Sequence, residues 1–390
     1  MTLIKKRLSR IGIVGTGFIA RGLSYLLHNS KNYHLAGMLT RRLHQINDLP
    51  IPDDKVYRDY EQLFEKSDLI VVTTGDPIYS TEMIYRAFEY GLPVVTMDAE
   101  TQIISGSWLS KQGFITEAEG DQPGSLAALD KEIRDMGFEP LVYGNVKSFL
   151  NHNPTLEDMQ YWAAKNGTSL NQVTSFTDGT KVQIEQCLVA NGLGADIYQQ
   201  GLLGYQSSDI NTGALALADK AQELGCKISD YILDRTAPPG VFAVATHNTA
   251  QLPYLKYLKM GSKGKFVLIK PYHLCHLEIP KTIGQVFESN KVLLNNSVTP
   301  KISVGTIAKK EIKAGTLLSK GIGSFEVRGE ALRIAENTDH VPIGLIVNAV
   351  LKNSVEPGQL ITFSDIDIPD SLAFKAWKET LELLVPAEMN

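Results

Sequence analysis

"RIGIVGTGFIARGLSYLL", Arg10 to Leu27, runs from a short apolar segment through a glycine turn into an amphipathic stretch. The apolar segment predicts a strand and the amphipathic stretch a helix. The turn between them spells Gly15-x-Gly17-x-x-Ala20. Gly15 permits the tight bend, Gly17 lets backbone approach a pyrophosphate, and Ala20 lets helix and strand pack closely. The helix start, at Phe18 and Ile19, offers free N–H groups and a positive dipole end to phosphates. The same letters also fit a bare structural turn, and the neighbouring segments decide between the two.

More strand–helix units come after the turn. "YHLAGMLT" (33–40), "SDLIVVTT" (67–74) and "LPVVTMD" (92–98) read as strands, with helices such as "STEMIYRAFEYG" (80–91) between them. Alternation of this kind predicts a doubly wound parallel sheet, so the turn is read as a dinucleotide site. "GFITEA", the helix "GSLAALDKEIRDMG" and "EPLVYGN" are expected to form the second half of that sheet, closing a dinucleotide-binding domain over residues 1–150. Thr74 and Gly75, after the third strand, join the cofactor set. The second strand ends in Thr40, Arg41 and Arg42. No carboxylate stands there to repel a 2′-phosphate, and two guanidiniums can grip one, which predicts NADP(H). The same arginines also fit a surface turn.

Composition narrows the class. The chain has 390 residues, 43% apolar and 21% charged, with a formal net charge of −5. That is ordinary globular composition, with no electrostatic case for nucleic acid or an anionic membrane. No apolar run reaches the roughly 18 residues of a membrane span, and the start lacks a signal-peptide core. Cys187, Cys226 and Cys275 have no redox or zinc spacing, so reduced thiols in a cytoplasm are expected. A homo-oligomer, a dimer, acting on a small molecule is expected.

Beyond about residue 301 the pattern changes. "VGTIAKKEIKAGTLLSKG" and "IVNAVLKNSVEPGQLITFSDI" are near-repeats: an apolar strand, a basic residue, then a turn ending in Gly315 or Gly358. Residues 301–369 resemble the SAF module, a small β-clip fold, with 370–390 as a helical tail. The resemblance implies an active-site lid or a hydroxylated ligand; a packing module fits equally. Cutting the chain after Val298 is predicted to leave a folded, NADP-binding core. Together with "EAEGDQPG", "GNVKSF", "SFTDGTK" and "KPYHLCHLEIP", the arrangement resembles the homoserine-dehydrogenase-like oxidoreductases with a C-terminal SAF domain, including 1-deoxy-D-xylulose 5-phosphate reductoisomerase-like enzymes. An α/β fold is therefore expected: a Rossmann domain, an α/β substrate domain over 151–300, and a β-clip. The resemblance implies an NADPH-dependent reductase or reductoisomerase of a small polyol or sugar phosphate. Its narrowest form makes 2-C-methyl-D-erythritol 4-phosphate, in isoprenoid biosynthesis, with Mg²⁺ or Mn²⁺. An alcohol dehydrogenase of another substrate and a non-catalytic NADP-binding sensor stay open.

The middle of the chain supplies the chemistry. Asn145 and Lys147 end a strand where doubly wound folds bind ligands, and Lys147 resembles a lysine of homoserine dehydrogenases. Asp178, Lys181 and Glu185 share one helix face at spacings of three and four. They are read as a substrate-contacting lysine with acid/base partners, or as a capped, ion-paired helix start. Glu117, Glu119 and Asp121 alternate along a strand end, so Glu119 and Asp121 are read as possible ligands of a metal, or as a solvated acidic loop. His273 and His276 are read as substrate contacts. His273, Cys275 and His276 cannot all converge on zinc, because a strand sends His276 the other way.

Overall fold

The computed structural model describes residues 8–42, 49, 51–261 and 263–384. Six parallel strands form the first sheet: β1 (Ser9–Val14), β2 (Tyr33–Leu39), β3 (Val56–Tyr57), β4 (Leu69–Val72), β5 (Val94–Thr96) and β6 (Ile115–Glu117), in the order β3-β2-β1-β4-β5-β6. The order reverses beside β1, which opens the crevice between the carboxyl ends of β1 and β4. The helix Phe18–His28 buries Ala20, Leu23 and Leu27 on one face of this sheet. Helices on both faces explain why β4 reads as the unbroken apolar run "LIVV", all buried.

The strand at 139–147 is not the last member of this sheet. β7 (Glu139–Lys147) is the centre of a second, mixed sheet with β8 (Tyr205–Gln206), β9 (Ile228–Leu233), β10 (Val241–Thr246) and β11 (Phe266–Lys270), ordered β11-β10-β7-β9-β8. The preceding helix, Gln122–Asp135, buries Leu126, Leu129 and Ile133 against Tyr143, Val241 and Ala243 of that sheet. The chain therefore leaves the first sheet after β6 and crosses the cleft at residues 118–122. Periodicity alone does not distinguish these two destinations for a strand.

The helix Thr180–Leu193 is buried from Thr180 to Asn191 and has no solvent face. Gly179, at φ +87°, turns the chain into it. Its apolar residues join Ile302, Val304, Val327 and Ala331 in one core. Those belong to β12 (Ile302–Ala308) and β14 (Val327–Arg333), an antiparallel pair; β13 (Leu317–Leu318), β15 (Ala349–Leu351) and β16 (Ile366–Asp367) form a further small sheet. The near-repeat is structural, with an offset of 43 residues. Ile312 and Val355 exchange both backbone hydrogen bonds, at 3.0 and 2.9 Å. Gly315 N donates to Leu351 O at 2.7 Å, and its counterpart Gly358 N donates to Ala308 O at 2.8 Å. Both glycines have φ near +80°, which is why the repeated turn ends in glycine. The two copies thus clasp each other. The helix Leu372–Leu384 then returns to the first domain, where Trp108 Nε1 donates to Glu379 Oε2 at 2.6 Å. Among the described residues no helix is long and apolar enough to cross a membrane.

Candidate active site

The glycine turn has the geometry its letters predict. Gly15 sits at φ +125°, and a Cβ there would press on Thr73 O at 3.0 Å; around Gly17 a Cβ would meet nothing within 4 Å. The helix beginning at Phe18 has Gly17 as its N-cap and no side-chain cap, so its first N–H groups are left for a ligand. A cleft of ≈ 1240 Å³ runs from here along Phe18, Ile19, Thr40, Arg41, Arg42, Thr74 and Gly75. Thr40 Oγ1 lies 3.3 Å from Thr16 Oγ1 and accepts from Arg42 N at 3.1 Å. Arg41 pairs with Asp76 at 2.7 Å and lies over the Tyr79 ring at 3.8 Å. These residues fit a dinucleotide: a bare backbone cradle for the pyrophosphate and cations beyond β2 for the ribose end.

The same cleft continues to Glu100, Asp121, Gln122, Lys147, Lys181, Glu185 and His273. Lys181 Nζ lies 2.9 Å from Glu100 Oε1 and 3.4 Å from Asp121 Oδ2. Lys147 Nζ lies 3.0 Å from Glu185 Oε2, which also accepts from Asn145 Nδ2 at 2.8 Å. Burial disfavours the Lys181 ammonium, but Glu100, Asp121 and Glu185 outweigh it and hold its pKa well above the ordinary value. Burial pushes the Asp121 carboxyl up, and Lys181, His273 and Lys147 overcome that and hold it low. For Glu185 burial wins over Lys147, and its pKa is raised. The result is two lysines and three carboxylates in alternation, out of bulk water, facing the cleft.

Several sequence readings need correction. Asp178 is not in this cluster. The chain turns at Gly179, so Asp178 Oδ1 accepts from Thr180 N at 2.9 Å while Oδ2 pairs with Lys309 at 2.6 Å. The partners of Lys181 come instead from β5 and β6 ends, as Glu100 and Asp121. Asn145 is fully buried and reaches the cleft only through Glu185. His276 packs beneath the first helix: a Cβ on Gly22 would meet its ring at 2.5 Å, and Phe18 lies edge-on at 6.0 Å. The alternating acids do not converge on a metal. Glu117 points into the core with neither oxygen hydrogen-bonded, Glu119 pairs with Lys270 and Lys281 at 2.9 Å each, and Asp121 turns to Lys181. Among the described residues no group of three or more His, Cys, Asp or Glu is placed to hold a metal ion.

Two members of the site escape the sequence reading. Glu100 stands just past β5 in "MDAET", at the carboxyl edge of the sheet. The rule that places ligands at that edge could have found it. Gln122 lies inside the quoted "EAEGDQPG", but a neutral amide among acids carries no signal in sequence.

Residues 120–279 match the family model described as oxidoreductase DRL, catalytic domain. That span contains Asp121, Gln122, Lys147, Lys181, Glu185 and His273. No curated protein matches the chain. Among solved structures, the chain is similar to a probable dehydrogenase from Thermotoga maritima, at 12% identity over 73% of this chain and 90% of that one, TM-score 0.43. It is also similar to the UDP-N-acetylglucosamine 3-dehydrogenase GnnA from Acidithiobacillus ferrooxidans, at 10% identity over 74% and 92%, TM-score 0.44. A dehydrogenase from Clostridium difficile is similar at 14% identity over 73% and 92%, TM-score 0.40. Residues 120–279 thus match an oxidoreductase catalytic domain, and the glycine cradle beside that span fits a dinucleotide.

Proposed function

We propose that the chain interconverts a carbonyl and a secondary alcohol on a small polyol or sugar phosphate, with NADP(H) as the hydride partner. The observation that carries this reading is the unbroken cleft from the Gly15–Gly17 cradle to the ion-paired Lys147 and Lys181. The bound dinucleotide supplies or takes the hydride. The chain's own residues do the rest. Lys181, kept protonated by Glu100 and Asp121, donates a proton to the alkoxide oxygen as it forms, and takes it back in the reverse direction. Lys147, held by Glu185, donates a second hydrogen bond to the substrate. Paired carboxylates suit hydroxyl groups, which both donate and accept. The narrowest version of the reading, a reductoisomerase of 1-deoxy-D-xylulose 5-phosphate, needs a base on a hydroxyl as well; Glu185, with its raised pKa, is the candidate. The C-terminal SAF-like segment braces the helix that carries Lys181.

Turnover of NADPH and NADH with a panel of C4–C6 polyols, their ketoses and their phosphates tests this. Lys181→Met is expected to lower kcat roughly a hundredfold or more, with dinucleotide affinity nearly unchanged. Near-normal turnover in Lys181→Met would remove Lys181 from the chemistry.

A further inference from the structure

Gln122 stands where the two halves of the charged cluster meet. Its amide has four polar neighbours, and only one orientation satisfies them all. With the nitrogen toward the carboxylates it donates to Glu185 Oε1 at 3.1 Å and to Asp121 Oδ1. The oxygen then accepts from Lys147 Nζ at 3.2 Å and from His273 Nε2 at 3.2 Å. One uncharged group thus touches a member of each ion pair and the histidine. Its backbone is held as firmly. Two residues on, a Cβ at Gly124 would lie 1.8 Å from Ala118 O, so the helix start is seated directly on the crossing segment.

We propose that Gln122 is a positioning residue that sets the protonation pattern of the site. This rests on the oxidoreductase reading above. A carboxamide presents one donor end and one acceptor end and does not titrate. Its nitrogen keeps Asp121 and Glu185 supplied with a donor each, so both are favoured as carboxylates. Its oxygen accepts from His273 Nε2, which places a proton on that nitrogen, while Nδ1 lies 3.8 Å from Cys275 Sγ. The same oxygen holds Lys147 between itself and Glu185, aimed along the cleft. The charged and titratable groups around the amide are Asp121, Lys147, Lys181, Glu185 and His273, with Glu100, Glu117 and Cys275 beside them; among the described residues no other side chain links both ion pairs to the histidine. A carboxylate in this position would lose the donor end and add a negative charge. Neighbouring pKa values would rise.

The test uses the full-length protein with Gln122→Met and Gln122→Glu. Imidazole ¹⁵N spectra of the wild type are expected to show the Nε2–H form at His273, and Gln122→Met is expected to lose that preference. This readout needs no turnover, so it stands even if the wild type reduces no carbonyl and the oxidoreductase reading fails. With a substrate in hand, Gln122→Met is expected to lower kcat about tenfold or more while dinucleotide affinity stays within about twofold. Gln122→Glu is expected to move the pH profile of kcat upward by about one unit. An unchanged His273 tautomer in Gln122→Met, or an unchanged pH profile in an active Gln122→Glu, overturns the proposal. So does a parallel loss of activity, dinucleotide affinity and melting temperature, which would make the residue merely structural.

Discussion

Lys309 Nζ lies 2.6 Å from Asp178 Oδ2, and the two side chains are 3% and 0% exposed. Lys309 also donates to Ser324 O at 2.6 Å. An acid at the head of the helix that carries Lys181 is thereby tied to the strand pair that covers the helix's far side. Burial raises the Asp178 pKa and Lys309 opposes it, so the charged pair is held together only while both members are present. Lys309→Met leaves a buried carboxylate without its cation. The expected cost is roughly 3–5 kcal/mol, read as a lower urea midpoint. An unchanged midpoint would show that the pair contributes nothing to the joint.

The same joint revises the expectation for a truncated chain. Cutting after Val298 removes β12 and β14, against which Val182, Ile184, Cys187 and Leu188 pack. It also removes Ile302, whose N–H donates to Asn191 Oδ1 at 3.0 Å and whose carbonyl accepts from Asn191 Nδ2 at 2.8 Å. Helix Thr180–Leu193 is buried from Thr180 to Asn191, so the cut bares apolar surface that is covered in the whole chain. The truncated protein is expected to aggregate rather than persist as a dinucleotide-binding core. A soluble, cooperatively melting fragment would contradict this.

The dinucleotide end yields a third prediction. NADPH is expected to bind more tightly than NADH, because Arg41 and Arg42 follow β2 and no acid stands in their place. Arg41 is held against Asp76 and the Tyr79 ring, which orients its plane before any ligand arrives. A charge-assisted hydrogen bond contributes about 1.5–3 kcal/mol. Arg41→Asp with Arg42→Ser should therefore weaken NADPH by about tenfold or more and leave NADH nearly untouched. Calorimetric titration of both nucleotides checks it, and tighter NADH binding by the wild type would refute it.

How much of the molecule is legible in its sequence depends on the range of each signal. The glycine turn, the apolar strands and the repeated Gly315 and Gly358 turns are local, because each depends on backbone conformations set within a few residues. The destination of β7 is not local: it depends on which sheet the helix Gln122–Asp135 covers. The site shows the same division. Lys147, Lys181 and Glu185, which helix spacing and strand ends mark, line one cleft together. Asp178 misleads because spacing places it on the Lys181 face only if the helix begins there. Gly179 at φ +87° breaks the helical phase between them. Glu100 pairs with Lys181 across 81 positions of chain, and no pattern within one segment reports such a contact.

The last prediction concerns acid stability, and it rests on a histidine far from the cleft. His340 Nδ1 lies 2.5 Å from Asn337 O and Nε2 lies 2.7 Å from Ser303 Oγ. The carbonyl can only accept, so Nδ1 carries the proton and Nε2 accepts from the hydroxyl: a neutral imidazole, edge-on to Trp377 at 5.6 Å. Burial drives its pKa down to about 4, with Asn337 O and Asp339 opposing. The unfolded chain titrates near 6.5. Between those values the unfolded state binds a proton that the folded state refuses, so stability rises with pH there and is lost as pH falls from about 6.5 to about 4. A gap of this size is worth about 3 kcal/mol at the acid end. His340→Gln removes the titration. Its unfolding free energy is expected to be lower than wild type at pH 7 but to fall less steeply between pH 6.5 and 4.5, by roughly 2 kcal/mol. Urea unfolding at several pH values gives both curves. Parallel curves for wild type and variant would mean that His340 is not held neutral in the folded chain.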